Sequence, residues 1–386
     1  MHRRLAATIL AATLLGAAAC GSKSPPAAAP TPSTSSSVDF ATAIKNAMER
    51  LHQGTFREPD VTPRPAAKGK KVALLSAGQS SPTTAIPIAA AQEAARALGW
   101  ETQIFDAQNN PANAPKLVRD AMAAGMEGMI TTLDCPAARS AFAEAKARGM
   151  KIVPLYAFDC NDPVFGGGGP QLFSDYINYG ALGGTQAEAA AGYGAIAAAA
   201  VIAATGGKAK VLVFTDPSFT VLRYTTRGFM ATIQRCPGCE VLAEIQYQPT
   251  DVGPVLQQKV AAALARFPQA NAIRSPNSTA TQLGVAPAVA QANRQNQLYV
   301  FGGEAAQQDL DLIRTDKGLD ACAVSDSPWT GWAAVDTLNS IFLGQPPRQA
   351  GFGTIIIDKG HNLPPSGPFK HTVDYRALYK RAWGVP

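Results

Sequence analysis

The sequence predicts an α/β protein made of two doubly wound parallel-sheet lobes with a cleft between them, joined by about three hinge crossovers. Short apolar strands alternate with helices from Lys71 onward, and the alternation restarts at Lys210 after a glycine-rich segment, residues 166–170. Continuous apolar strands are typical of parallel sheets covered on both faces. Ligands of such sheets bind at the carboxyl ends of the strands, and two lobes can share that edge as one cleft.

The N-terminal residues have the pattern of an export signal. A basic start, Met1 to Arg4, is followed by residues 5–19, which carry no charge, and by Cys20 after three alanines. An apolar stretch of about 15 residues is shorter than the roughly 20 that a spanning helix needs. The pattern resembles a bacterial lipobox, so we expect residues 1–20 to be a lipoprotein signal and Cys20 to carry the lipid anchor. The alternative is an ordinary signal cleaved beside an incidental cysteine.

A low-complexity segment follows the signal. Residues 21–37 are mostly Pro, Ser and Ala, which cannot bury enough apolar surface to offset the entropy lost on ordering. We therefore predict a disordered stalk. Residues 38–69 are predicted to form an amphipathic helix, because Phe40, Ile44 and Leu51 recur at helical spacing, and then a proline-rich connector.

Residues 70–165 are predicted to form most of the first lobe. Glycines directly follow its helices, where a left-handed C-cap is expected. The predicted strands are 71–76, 101–106, 128–132 and 152–156, and the predicted helices are 88–98, 115–124 and 137–148.

Residues 166–326 are predicted to form most of the second lobe, beginning with an alanine-rich helix that reads as a close-packed buried helix. Residues 327–353 are assigned to the first lobe and residues 354–386 to the second, which adds two crossovers. The predicted strands are 210–214, 240–246, 272–275, 298–302, 319–324 and 354–358, and the predicted helices are 183–204, 224–235, 255–267, 279–293 and 329–342.

Composition argues against several classes of protein. The formal net charge is +6, but Lys and Arg are scattered without a basic run, so nucleic-acid binding is not expected. The chain has four histidines and lacks the HExxH, GxSxG and Walker-type motifs. We therefore expect neither an enzyme nor a bound cofactor or metal.

Several motifs, in this order, resemble the type I periplasmic binding proteins of the ribose-binding, LacI-like class. They are the first strand with helix 89–99, then Gly125 to Ile130, Gly149 to Leu155 and Arg227 to Phe229. The resemblance covers roughly residues 70–358. It implies a monomeric, membrane-anchored lipoprotein outside the cytoplasm that captures a small polar, sugar-like solute and passes it to an ABC permease by hinge closure. A lipoprotein that feeds a membrane sensor, and an extracytoplasmic enzyme on the same fold, are the alternatives.

The resemblance also points to ligand positions. It implies ligand contacts at Thr131, Tyr156, Arg223, Asn277, Glu304 and Asp326. Many sugar-binding members have Asp-Arg after the fourth strand, where this chain has Tyr156 and Ala157. That change removes two charge-assisted hydrogen bonds and argues against a simple pentose or hexose.

Other candidates come from the residues themselves, each with a structural alternative. Ser76, Gln79 and Ser80 follow the first strand and could bind ligand or form an ordinary polar loop. Asp134 could contact ligand or cap the next helix. Phe219 could stack on a ring or pack in the core.

Five cysteines follow Cys20 in the sequence, and disulfides are the default in an exported protein. Cys236 and Cys239 have CxxC spacing, but no second ligand pair for zinc is present and the motif does not open a helix as in redox dithiols. We expect a structural disulfide there, a second one between Cys135 and Cys160, and a buried free thiol at Cys322.

Overall fold

The computed structural model describes residues 35–386. The predicted signal segment, the proposed lipidation residue Cys20 and residues 21–34 of the predicted stalk lie outside the described residues. The first helix, α1, spans Ser35–Gln53, so the last three residues of the predicted stalk are helical.

The first lobe contains a four-stranded parallel sheet in the order β2-β1-β3-β4. Within β1 every residue except Lys71 is buried, because helices cover both faces of the sheet. The strands are β1 Lys71–Ser76, β2 Glu101–Asp106, β3 Gly128–Thr131 and β4 Lys151–Pro154, and the helices are α2 Pro82–Ala97, α3 Ala114–Ala123 and α4 Arg139–Ala147.

The second lobe contains a six-stranded sheet in the order β10-β9-β8-β7-β5-β6, parallel except for β10 at one edge. The predicted two-lobe α/β fold is confirmed. The strands are β5 Lys210–Thr215, β6 Glu240–Gln246, β7 Ala272–Arg274, β8 Tyr299–Phe301, β9 Ala321–Ala323 and β10 Ile356–Asp358; the helices are α5 Gln186–Ala204, α6 Thr220–Ile233, α7 Pro254–Arg266, α8 Ser278–Ala280, α9 Ala286–Gln291 and α10 Gln307–Arg314.

The glycine-rich segment, residues 166–170, is not the first crossover. Leu172 and Phe173, which follow it, lie in the core of the first lobe, and their backbone N–H groups donate to the carboxylate of Asp159 at 2.8–3.0 Å. The chain leaves the first lobe later, through residues 180–185, where Gly183 has φ +149°. The predicted lobe boundary at residue 166 is therefore wrong by about one short segment.

More segments connect the lobes than the three predicted. Helix α1 packs on the second lobe through Ile44 and Leu51, so the connector that follows it is itself a crossover. Helix α11 (Ser327–Phe342) packs on α2 in the first lobe, as predicted, and α12 (Tyr375–Trp383) returns to it from β10. The connecting segments are 54–67, 180–185, 324–326, 349–355 and 359–374.

The last segment divides between the lobes, in contrast to the prediction that all of residues 354–386 belong to the second. Strand β10 pairs with β9, whereas α12 lies on α11 with Trp332 and Trp383 stacked at 5.4 Å. The indole of Trp383 also donates to Asp336 on α11 at 2.7 Å. Aromatic packing and this hydrogen bond fix α12 to the first lobe.

Helix α5 packs against α6 with almost no space between the backbones. A Cβ atom on Gly194 would lie 1.8 Å from the carbonyl oxygen of Thr225, and one on Gly228 would lie 1.9 Å from that of Ala191. Of the helices in the described part, α5 alone is apolar and long enough to span a membrane by length and composition, and half of that stretch is buried in the protein.

Gly194→Ala is expected to destabilise the protein by about 1–3 kcal/mol, because the added methyl group must push α6 away. Gly192→Ala, two residues earlier on the same helix, is the matched control: its nearest new neighbour would be the carbonyl oxygen of Leu182 at 3.3 Å. We expect the control to stay within about 1 kcal/mol of the parent. Urea unfolding measures both, and equal losses would contradict the close packing.

Candidate functional site

A cavity of about 850 Å³, counted with its open mouth, lies between the two lobes. The first lobe contributes Thr83, Tyr156 and Tyr179 to its wall. The second lobe contributes residues of α5 and α6 and of the segments that end β7, β8 and β9. Strand ends of both sheets therefore meet at this cavity, in agreement with the predicted position of the cleft.

Arg274, the last residue of β7, carries the positive charge of the cavity wall. Its side chain is 2% exposed and donates to the carbonyl oxygen of Phe214 (3.1 Å) and to the hydroxyls of Thr226 (3.1 Å) and Thr225 (2.8 Å). Burial lowers the pKa of the guanidinium to about 10. Arg274 was not among the residues predicted from the sequence, although an arginine that ends a buried strand is itself an unusual feature.

Glu304, a predicted ligand contact, also lines the cavity and connects the lobes. Its carboxyl group accepts from the hydroxyl of Thr83 on α2 (3.0 Å) and from the backbone N–H of Ser278 (3.2 Å). Burial, reinforced by the nearby Asp309, raises the pKa of Glu304 to about 7. A carboxyl group with this pKa can donate or accept a hydrogen bond at neutral pH.

Tyr156, another predicted contact, lines the cavity in a left-handed backbone conformation with φ +63°. Bulky residues rarely adopt that conformation, and it usually persists only where the surroundings enforce it. The hydroxyl group donates to Thr330 at 3.0 Å, which ties the ring to α11. Phe219 and Asn277 line a smaller neighbouring pocket with Tyr156 and Thr83.

Asp134 neither caps the turn that follows it nor lines the main cavity. Its carboxylate accepts from the backbone N–H of Phe158 (2.8 Å) and, across the cleft, from that of Thr220 (3.2 Å) in the first turn of α6. Burial raises the pKa of Asp134 to about 6. The residue therefore holds the two lobes together, a role that neither sequence interpretation included.

Five predicted contacts, Ser76, Gln79, Ser80, Thr131 and Asn277, lie in the loops around the cleft and do not line the main cavity. Ser76 accepts from the side-chain amide of Gln79 (2.7 Å), and Thr131 accepts from the backbone N–H of Leu133 (3.0 Å). Ser80 is exposed at the outer rim, in a shallow pocket that also includes Asn277. Asn277 additionally caps α8 by accepting from the backbone N–H of Ala280 (2.8 Å).

The last two predicted contacts, Arg223 and Asp326, point elsewhere. Arg223 is exposed and reaches the carbonyl oxygen of Val164 in the first lobe at 3.5 Å. Asp326 is buried in a separate pocket at a crossover, where its carboxylate lies 2.8 Å from the Nε2 atom of His371. Of the predicted ligand residues, Tyr156 and Glu304 line the main cavity.

Both predicted disulfides are present, Cys135–Cys160 and Cys236–Cys239, and Cys322 is a buried free thiol.

Within the described residues, two clusters have metal-ligand composition. In one, Cys135 and Cys160 are oxidised and cannot coordinate as thiolates. In the other, the rings of His52 and His361 are stacked 3.8 Å apart at 8° around Asp358. Because a metal ion lies in the plane of each imidazole that binds it, two parallel rings cannot share one ion in this arrangement.

The two buried carboxyl groups at the lobe interface predict a pH dependence of stability. The pKa values of Glu304 and Asp134 are raised to about 7 and about 6 in the folded state, above their ordinary values of 4.5 and 3.8. The folded state therefore binds more protons than the unfolded state. The stabilisation from Asp134 is complete below pH 3.8 and is lost as the pH rises through about 6. The stabilisation from Glu304 is complete below pH 4.5 and is lost as the pH rises through about 7. Urea unfolding at pH 5.5 and 8.0 should show lower stability at pH 8.0.

The variant Glu304→Gln should reduce the loss of stability between pH 5.5 and pH 8.0, because the amide does not titrate and only the contribution of Asp134 remains. The control variant Glu240→Gln changes an exposed residue at the start of β6 and should show the same dependence of stability on pH as the parent. If Glu304→Gln loses as much stability between pH 5.5 and pH 8.0 as the parent does, Glu304 is not a titrating group.

The chain is similar to a known domain family and to several solved structures. The periplasmic binding protein domain matches residues 72–346. A glucose-galactose binding protein from Geobacillus stearothermophilus is 20% identical with a TM-score of 0.63, covering 76% of this chain and 99% of its own. An ABC transporter solute-binding protein from Agrobacterium vitis bound to α-D-tagatopyranose is 20% identical with a TM-score of 0.65, covering 77% and 97%.

A third similar structure is the 5-methylthioribose transporter solute-binding protein from Thermotoga lettingae. It is 18% identical with a TM-score of 0.63 and covers 79% of this chain and 89% of its own. At these identities the solved structures show the fold. No curated protein matches the chain in sequence.

Proposed function

Because the chain belongs to the periplasmic binding protein family, in its type I architecture, we propose that it captures a small solute outside the cytoplasm and delivers it to an ABC permease. This family consists of binding proteins, not enzymes. The observation that carries the proposal is the cavity between the lobes, whose wall includes Tyr156 from one lobe and Arg274 from the other. A solute held there contacts both lobes.

The proposed mechanism is hinge closure. Only contacts that the solute makes in the closed state and not in the open state favour closure, because a ligand with equal affinity for both shifts nothing. Several direct contacts already join the lobes in this structure, including those from Thr83 to Glu304, from Thr220 to Asp134 and from Tyr224 to Asp162. The closed shape is the form that we propose the permease recognises.

The similar structures support a sugar-like or related polar solute, since they are a glucose-galactose binding protein, a protein bound to α-D-tagatopyranose and a protein in complex with 5-methylthioribose. We further propose that Cys20 carries a lipid that anchors the chain to the outer face of the cell membrane and that the protein acts as a monomer. Residues 21–34 would then connect the anchor to α1. Mass spectrometry of the N-terminal peptide of the mature chain tests the lipid directly.

Thermal-shift screening tests solute capture, and small-angle scattering tests closure. A true ligand should stabilise the chain by RT ln(1 + [L]/Kd), about 2.7 kcal/mol at a hundredfold excess over Kd. The same ligand should reduce the radius of gyration. If no sugar, polyol, amino acid, nucleoside or small organic acid changes either quantity, the proposed function is wrong.

A further inference from the structure

We infer that the solute of this cavity carries a carboxylate on an apolar body, with the carboxylate bound to Arg274, and is not a neutral sugar. The inference rests on the proposed capture of a solute in this cleft, and it replaces the sugar-like class that the similar structures suggest with a carboxylic acid. Three independent features of the cavity carry it: an unpaired buried cation, an apolar wall and a wall carboxyl group already bound to other donors.

The first feature is the charge of Arg274. Two arginines of the described chain are almost completely buried, Arg348 at 5% and Arg274 at 2% exposure. Arg348 is paired with both carboxylate oxygens of Asp336, at 3.0 and 2.5 Å. Arg274 donates to neutral oxygens only, and no carboxylate of the described chain lies within ion-pair distance of it.

A buried charge without a counter-charge is costly, and folded proteins rarely keep one. A guanidinium presents paired donors that match the geometry of a carboxylate. Because Arg274 lines the cavity, an anionic group of the ligand can supply the missing counter-charge there.

The second feature is the apolar wall. Ala189 and Ala190 on α5, Val221 and Leu222 on α6, and Phe301 and Ala323 from the sheet all line the cavity. A neutral sugar carries hydroxyl groups around its ring, and each one that faces such a wall would lose its hydrogen bond to water without a replacement. An aliphatic or aromatic body fits this surface better.

The third feature is the state of Glu304, the one carboxyl group that the described residues contribute to the wall of this cavity. It already accepts from Thr83 and Ser278. Burial raises the pKa of Glu304 to about 7, which weakens its negative charge at neutral pH, whereas Arg274 keeps its positive charge. A ligand carboxylate is therefore attracted and not repelled.

The test compares acids with their neutral amides on the full chain. The probes are phenylacetate against phenylacetamide, hexanoate against hexanamide, and D-galactose, measured by thermal shift and calorimetry. At least one acid should bind, and more than about tenfold tighter than its amide, the ratio expected when a charge-assisted hydrogen bond replaces a neutral one. Arg274→Met should abolish this preference, whereas Arg223→Met, which changes an exposed arginine outside the cavity, should retain it.

The possible outcomes distinguish a failure of the inferred carboxylate ligand from a failure of the proposed solute-binding function. If D-galactose stabilises the parent and Arg274→Met alike while the acids do nothing, the inference is wrong and the proposed function stands. If neither the acids, the amides nor a wider sugar panel binds, the inference is wrong and the proposed function is contradicted as well. The comparison of acid and amide on the unaltered chain remains decisive even if Arg274→Met does not fold.

Discussion

Asp336→Ala is expected to lower the free energy of unfolding by about 3–5 kcal/mol, the cost of leaving a buried charge without its partner. Asp336 lies on α11 and accepts from the guanidinium of Arg348 and, at 2.7 Å, from the indole of Trp383 on α12. The alanine would leave Arg348, which is 5% exposed, without a counter-charge. It would also remove the hydrogen bond that fixes α12 to the first lobe.

The matched control is Asp120→Ala, which removes an exposed carboxylate from an i, i+4 ion pair with Lys116 at 2.6 Å. Such pairs contribute about 0.3–0.5 kcal/mol, so this variant should unfold close to the parent in urea. Proteolysis in the segment before α12, residues 359–374, should increase in Asp336→Ala and not in Asp120→Ala. Similar midpoints for the two variants would contradict a structural role for the buried pair.

The positions of these strands were predictable from the sequence, whereas the end of the chain required tertiary information. Strands β1, β2 and β6 begin and end where the sequence predicts, although only β1 is a continuously buried run and β2 and β6 are edge strands with few or no buried residues. Helix α12 was missed although Tyr375, Tyr379 and Trp383 recur at a spacing of four residues. The segment before this helix is rich in proline, so its helical spacing was overlooked. The position of α12 on α11 depends on contacts between residues that are far apart in sequence.

The candidate site was predictable in position and only partly in residues. Tyr156 and Glu304 line the cavity because each follows a strand at the shared edge. Arg223 was expected there, but successive residues of a helix point about 100° apart. Leu222 and Thr225 of α6 face the cavity, and Arg223 therefore faces solvent.

Contacts between the lobes could not be read from the sequence at all. The bond from Thr220 to Asp134 joins residues 86 positions apart, and the bond from Thr83 to Glu304 joins residues 221 apart. Each carboxyl residue has an ordinary local interpretation as a loop or cap residue. Only the relative position of the two sheets shows that these groups connect the lobes.

The disulfide Cys135–Cys160 is expected to stabilise the protein about twice as much as Cys236–Cys239. The bridged residues are 25 positions apart in the first case and 3 in the second. The chain-entropy estimate gives about 3.5 kcal/mol for the long loop against about 2 kcal/mol for the short one. Replacing each pair by alanines and measuring urea unfolding tests the difference.

The long-loop disulfide should also affect solute binding, because it lies beside the contact between the lobes. Cys135 directly follows Asp134, and its backbone N–H donates to the carbonyl oxygen of Phe158 at 2.9 Å. The backbone N–H of the same Phe158 donates to the carboxylate of Asp134. Without the disulfide this loop gains freedom, so the bond from Thr220 to Asp134 forms less often and the closed state is less populated. Apparent affinity falls in proportion to that population. The double variant Cys135→Ala, Cys160→Ala should therefore bind solute more weakly than the parent. The double variant Cys236→Ala, Cys239→Ala, which changes the turn between α6 and β6, should keep the parent affinity. Equal affinities in all three proteins would show that the Cys135–Cys160 disulfide does not affect closure.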